Sequence, residues 1–250
     1  MQNTPNKWFS TWFDTPYYHI LYQNRSHHEA EIFIKNLHKY LKLPQNSHIL
    51  DLACGKGRHS ITLNQLGYTV LGTDLSPQSI QAAQLHQNPS LRFQVQDMRV
   101  PLPQKFDAVF NLFTSFGYFD YPADDQKVLQ SIAKMLKPQG TFVIDYLNPT
   151  KAIADLNPHE ILEKNGISFE ITRELKNNFI QKQIKFEADS QPHQYTEQVR
   201  AYTNSDLKTL IAAQGFEIKA VFGSYNLGAF DPENSVRQII IAQKNQHETV

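Results

Sequence analysis

Five short apolar runs separated by helix-forming or turn-forming stretches occupy residues 48–147, and this alternation constrains the fold more than any other feature. The runs are HILDLAC, YTVLGTDL, LRFQVQD, FDAVFNLF and TFVIDYL. Between them, RHSITLNQLG and SPQSIQAAQLH read as helices, the second with Ser76 as N-cap and Pro77 in the first helical position. DDQKVLQSIAKMLKPQG reads as a third helix with Val128, Ile132 and Leu136 in line, stopped by Pro138 and Gly140. Repeated strand–helix units with apolar strands predict an α/β fold, a mostly parallel sheet covered on both faces.

The flanks read differently. Residues 1–45 read as a helical N-terminal cap, with Phe33, Leu37, Tyr40 and Leu41 on one face of EAEIFIKNLHKYL and Pro44 closing it. After Pro149 the period changes to two: GISFEITREL puts Ile167, Phe169, Ile171 and Leu175 on one side, and FIQKQIKFEA does the same with Ile180, Ile184 and Phe186. Asn177-Asn178 supplies a tight turn between them. HQYTEQVRAY is a further strand, so residues 150–200 are expected to form an antiparallel β insertion. TNSDLKTLIAAQGF is a helix with Thr203 as N-cap, Asp206 completing a capping box and Gly215 past its end, and two more strands follow. The expectation is a doubly wound, Rossmann-like, seven-stranded core over residues 46–149 and 201–250, with the insertion over its active site.

Lys plus Arg and Asp plus Glu both number 24, so no basic excess points to nucleic acid or an anionic membrane surface. A single cysteine, Cys54, precludes an intrachain disulfide. No apolar run approaches the ~18 residues of a membrane span, and the first residues show no signal pattern, so a cytoplasmic location is expected. No metal-ligand cluster is apparent.

The chemistry is concentrated at consecutive strand ends. Gly55 and Gly57 in LACGKGRHS let backbone approach a ligand, and the helix starting near Arg58 aims its free N–H groups at the same place. Asp74, at the second strand end, suits the two hydroxyls of a ribose; Asp97, after the third, suits an adenine amino group, with Leu75 and Met98 offering apolar surface to the ring. Ligands of open parallel sheets sit beyond these carboxyl ends.

LDLACGKGRHS, GTDLS, VQDMR and FDAVFNLFTSFGY together resemble the class I S-adenosylmethionine-dependent methyltransferases. The resemblance covers about residues 45–148 and returns in AAQGFEIK and the last strand. It implies S-adenosylmethionine as cofactor, with Ala53, Gly55 and Gly57 on the methionyl and ribose parts, Asp74 on the ribose, and Asp97 with the Met98 backbone on adenine. It implies Asn111 near the cofactor amino group, and Tyr18 and Arg25 closing on its carboxylate. Ala53 stands where a glycine is commoner. A nicotinamide-dependent oxidoreductase is the rival reading, but Ser60 replaces the third glycine of a dinucleotide loop.

The acceptor is less legible. The segment after the fourth strand lacks the N/D-P-P-Y/F of amino-methylating DNA enzymes, and no second cysteine is available for covalent attack on a pyrimidine. FTSFGYF and the insertion resemble small-molecule N-methyltransferases, implying an amine, hydroxyl or carboxylate acceptor and a monomer or homodimer. Tyr118 is expected in the acceptor pocket; His59 is expected to be packed or solvated. A cofactor-binding module without turnover remains a separate reading, which a ligand-sized cavity beside Tyr118 would oppose.

Overall fold

The computed structural model describes residues 8–23 and 27–246. Three helices open the chain: α1 (Trp8–Trp12), α2 (Pro16–Leu21) and α3 (His27–Leu41). Thr15 caps α2 by accepting from the Tyr18 N–H. The buried stripe of α3 is Ala30, Phe33, Ile34 and Leu37. Phe33 and Leu37 of the expected face are thus buried and Leu41 packs against the same cluster, whereas Tyr40 is 46% exposed and edges the Phe222 ring.

The alternating core follows as β1 (His48–Leu52), α4 (Arg58–Gln65), β2 (Thr69–Asp74), α5 (Pro77–Gln84), β3 (Leu91–Val95), β4 (Phe106–Asn111), α6 (Pro122–Met135) and β5 (Leu136–Leu147). β5 is a single twelve-residue strand that runs through Pro138 and Gly140. Those residues therefore do not stop α6, which ends at Met135, and Leu136 is already extended. The register of β4 against β5 shifts between Phe106 and Ala108, and the proline falls in that irregular stretch, where a missing N–H is tolerated.

A short helix, α7 (Pro149–Ala154), precedes β6 (His159–Lys164), β7 (Ile167–Lys176), β8 (Phe179–Ala188) and β9 (Gln191–Arg200). These pair in the order β6-β7-β8-β9 as one antiparallel sheet. Neither α7 nor the edge strand β6 is legible as an apolar run, since β6 carries only Ile161 and Leu162 and no fully buried residue. Asn177 and Asn178 both adopt left-handed φ, 51° and 63°, as a two-residue hairpin turn of this hand requires. The chain closes with α8 (Asn204–Ala212), whose Thr203–Asp206 capping box is formed as expected, then β10 (Phe216–Phe222) and β11 (Arg237–Lys244).

The large sheet has the order β10-β11-β5-β4-β1-β2-β3. β11 lies antiparallel to both of its neighbours and the remaining pairings are parallel. Its two faces are covered separately: one cluster gathers Val128, Ile132, Leu207 and Ile211 from α6 and α8, the other Phe33, Leu37, Leu63 and Ile80 from α3, α4 and α5. A third cluster joins Trp8, Trp12 and Leu21 of the opening helices to Phe169, Ile171, Ile184 and Phe186 of the smaller sheet. No helix among the described residues is long and apolar enough to cross a membrane.

Candidate active site

β1 runs into three left-handed residues within five positions: Ala53 (φ 63°), Gly55 (56°) and Gly57 (83°). The two glycines serve different ends. A Cβ built on Gly55 meets nothing within 4 Å, so its bare backbone faces open space. A Cβ on Gly57 would come within 2.8 Å of the Phe93 ring, so its absence lets the loop rest on β3. Ala53 and Gly55 line a cavity of about 690 Å³; Gly57 lies behind it, as the residue on which α4 begins.

Asp74 binds the loop to β2. Its Oδ2 accepts from the Gly55 N–H at 2.8 Å and its Oδ1 from the Ser76 N–H at 2.9 Å. Burial pushes this carboxyl upward, against the pull of those N–H groups. Asp74, Leu75, Asp97 and Met98 all line the cavity. Asp97 sits two residues past the end of β3, in a turn, and its carboxylate is gripped by Arg99 through Nε–Oδ1 at 3.0 Å and Nη2–Oδ2 at 2.6 Å. Arg99, which the sequence did not single out, lies over the Phe119 ring, which also lines the cavity.

Asn111 is not among the lining residues: its amide donates to Leu52 O at 3.0 Å and it is fully buried. Leu112 and Phe113 take the wall at this strand end. Phe113 and Thr114 have φ of 60° and 59°, costly for a bulky and a β-branched residue. The turn is latched by buried Asp145. Its Oδ2 accepts from the Phe113 N–H (2.8 Å) and Tyr225 (3.1 Å), and its Oδ1 from Arg237 Nε (2.7 Å). Arg237 also donates to Thr114 Oγ1 at 2.8 Å and lines the cavity. Arg58 stacks on Phe113 at 4.3 Å.

Tyr18 and Tyr118 both line the cavity within an aromatic wall: Tyr118 meets Trp8 at 5.1 Å and Phe13 at 5.6 Å, and Phe13 meets Tyr18 at 4.8 Å. Arg25 lies outside the described residues. His59 is buried yet touches the cavity. The small sheet adds Arg173, Lys182 and Glu197 to the lining, none of which sequence reasoning identified. No group of His, Cys, Asp or Glu among the described residues is arranged to hold a metal.

Behind the glycine loop, Asp51 is enclosed and accepts from Ser60 Oγ at 2.5 Å. Burial pushes its carboxyl up to about 6 from an ordinary value of 3.8. The folded chain therefore holds this proton at pH values where the unfolded chain has lost it. Stability from this group is present in full below about 4 and is lost as pH rises through about 6. Relative to Asp51→Asn, the wild type is expected to lose about 2–3 kcal/mol between pH 4 and 7. Urea melts of both proteins across that range measure it, and parallel stability–pH curves would refute it.

The pattern of the family described as Methyltransferase domain matches residues 43–215, from just before β1 through α8. The chain belongs to this methyltransferase domain family. That match sets aside the nicotinamide reading. YqeM of Bacillus subtilis (strain 168), named provisionally as a methyltransferase, is 37% identical over 120 residues, 46% of this chain and 48% of that protein. The chain spans about half the length of the curated relatives it matches.

Among solved structures, an S-adenosylmethionine-dependent methyltransferase from Clostridium acetobutylicum ATCC 824 aligns with a TM-score of 0.77 at 18% identity, covering 92% of this chain and 96% of that one. The S-adenosylmethionine-bound CalS10 of Micromonospora echinaspora, an amino pentose methyltransferase of calicheamicin biosynthesis, aligns with a TM-score of 0.69 at 19% identity, covering 92% and 98%. At these identities the likeness is one of fold. It extends over the small sheet as well as the core, given the coverage.

Proposed function

We propose that this methyltransferase-family chain binds S-adenosylmethionine and transfers its methyl group to a small molecule, an enzyme of the general class EC 2.1.1. The observation that carries the reading is the cradle at Gly55: a backbone left open to a ligand-sized cavity, with the Asp74 carboxylate fastened to its N–H. The volume of about 690 Å³ lies within the range of small-molecule sites, about 300–1,000 Å³. It supports a cofactor and an acceptor side by side, and a cavity beside Tyr118 left open by the insertion argues for turnover over a binding-only module.

Ala53 and Gly55 would hold the methionyl part, Asp74 the ribose hydroxyls, and Asp97 and Met98 the adenine, with Leu75 against the ring. Asp97 can serve there because Arg99 fixes its position while a carboxylate offers about four acceptor sites. Tyr18 stands at the cap side of the same cavity. Gly57 and Asn111 act one layer behind, Gly57 by seating the loop on Phe93 and Asn111 by joining the ends of β1 and β4. When bound, S-adenosylmethionine supplies a sulfonium-activated methyl group. The chain's residues then have to align the acceptor in line with it and keep water out, which the aromatic wall of Trp8, Phe13 and Tyr118 suits.

The chain divides, on this reading, into a helical cap (1–45), a cofactor-binding core (46–149 and 201–250) and an insertion (150–200) that walls the acceptor side. The cytoplasm is its proposed location. Calorimetry with S-adenosylhomocysteine tests the reading directly: saturable binding is the expected result, and no binding by well-folded protein at millimolar ligand would falsify it.

A further inference from the structure

In the sheet order β5-β4-β1-β2-β3, the glycine loop, Asp74 and Asp97 follow β1, β2 and β3. The turn after β4 leans the other way, onto β5. The Thr114 N–H donates to Asp145 O at 2.9 Å, and Thr114 Oγ1 accepts from the Leu147 N–H at 3.0 Å. The turn still begins beside the glycine loop, because Asn111 joins the end of β4 to Leu52 O. Thr114 and Ser115 line the cavity from this side, and both are half-buried.

Their hydroxyls have opposite polarity. A hydroxyl has two lone pairs and one proton. Both lone pairs of Thr114 Oγ1 are taken, one by the Leu147 N–H and the other by Arg237 Nη2 at 2.8 Å. Neither neighbour can exchange roles, since a backbone N–H and a guanidinium only donate. Among the described residues no acceptor lies within hydrogen-bond reach of the Thr114 proton. The hydroxyl is thus an obligate donor, and its partner comes from the cavity that it lines. Ser115 Oγ spends its proton on Leu112 O at 2.9 Å and keeps its lone pairs as acceptors.

The backbone has been bent to make this arrangement. Thr114 holds a φ of 59°, disfavoured for a β-branched residue, and three bonds from β5 and β11 keep it there. Strain over-determined in this way collects at functional turns. We propose that Thr114 donates a hydrogen bond to the methyl acceptor and Ser115 accepts one from it, so that the acceptor carries a neutral group able to do both, a hydroxyl or a carboxamide. A carboxylate only accepts and would face the Ser115 lone pairs; an ammonium only donates and would face the Thr114 proton. This inference rests on the methyl-transfer reading for the word acceptor; the selectivity of the hydroxyl pair does not.

The test titrates toluene, benzyl methyl ether and benzyl alcohol against tryptophan fluorescence with S-adenosylhomocysteine present, Trp8 standing in the cavity wall. The three share an apolar ring suited to the aromatic wall; the ether adds an acceptor, and the alcohol adds a donor as well. The ether is expected to bind about 3–10-fold tighter than toluene, and the alcohol about 3–10-fold tighter than the ether. Each step has the scale of one neutral hydrogen bond. Thr114→Val is expected to erase the first step, Ser115→Ala the second, and Thr114→Ser neither. A substitution that merely loosens the turn weakens all three probes alike, and the wild-type ranking still tests the pair if a variant fails to fold. Benzamide, added as a fourth probe, distinguishes the two sources: tighter alcohol assigns the pair to hydroxyls, tighter benzamide to carboxamides. Equal binding of the probes, no binding of any, or variants that keep the wild-type ranking overturns the proposal. So does a 10-fold loss of S-adenosylhomocysteine affinity in Thr114→Val and Ser115→Ala, which would give the pair to the cofactor. Failure of S-adenosylhomocysteine to bind the wild type removes the methyl-transfer reading alone, because the same titration without it still reads the hydroxyl pair.

Discussion

Replacing Asp145 by alanine is expected to lower the folding free energy by about 3–5 kcal/mol, the cost of stranding one member of a buried ion pair. Asp145 is 1% exposed and its partner Arg237 16%, so the guanidinium left behind has little water to turn to. The same carboxylate is the acceptor for the Phe113 N–H and for Tyr225. Its loss therefore also removes a bond from a turn whose residues Phe113 and Thr114 sit at left-handed φ, leaving the Thr114 N–H on the Asp145 backbone carbonyl and Thr114 Oγ1 on the Leu147 N–H. Asp145→Asn, which keeps the shape and an acceptor but not the charge, is expected to lose less than the alanine variant. Urea denaturation followed by circular dichroism measures both. A loss below 1 kcal/mol for the alanine variant would mean that Arg237 finds another partner and that the latch is not what holds the turn.

The second large effect concerns the cofactor. Asp74→Ala is expected to weaken S-adenosylhomocysteine binding by about 100-fold, the combined scale of two charge-assisted hydrogen bonds. The Gly55 N–H also loses its acceptor, so the cradle loosens together with the ribose contact. Asp74→Asn keeps one of the two acceptors and lacks the charge, and its NH2 must face either the Gly55 or the Ser76 N–H. It should fall between the wild type and the alanine variant in affinity, with a measurable loss of thermal stability. Calorimetry at matched folded fraction gives the answer, and less than a threefold change in the alanine variant would take Asp74 out of the binding surface.

What could be read from the sequence was set by how local the determining chemistry is. Ser76-Pro77, the Thr203–Asp206 box and the Asn177-Asn178 turn each depend on a few adjacent residues, and each is formed as the sequence suggests. The parallel core follows from apolar runs long enough to cross a sheet. β5 ran through Pro138 and Gly140 because the irregular register against β4 accommodates what locally reads as a stop. β6 escaped notice because an edge strand half in solvent has no apolar face to display.

At the site the strand-end acids were legible by position, but their partners were not. Arg99 reaches Asp97 from two residues away, and Arg237 reaches Asp145 from a distant strand. The charged residues that the insertion adds to the lining did leave a trace. Arg173 interrupts the apolar side of β7 between Ile171 and Leu175, and Lys182 interrupts that of β8 between Ile180 and Ile184. A charged residue at a buried-face position is costly unless it is paired, and two such interruptions in register are a signal that apolar counting discards.

The opening helices are tied down at two places. Asp14 accepts from Ser76 Oγ at 2.6 Å and from the Gln78 N–H at 3.1 Å, at the start of α5 beside Asp74, while Trp12 donates to Glu197 on the small sheet. These two anchors are two residues apart in the chain and belong to opposite halves of the cavity. A strain placed on either anchor is therefore passed along three residues of backbone to the other, so the start of α5 and the small sheet are mechanically joined through the opening helices.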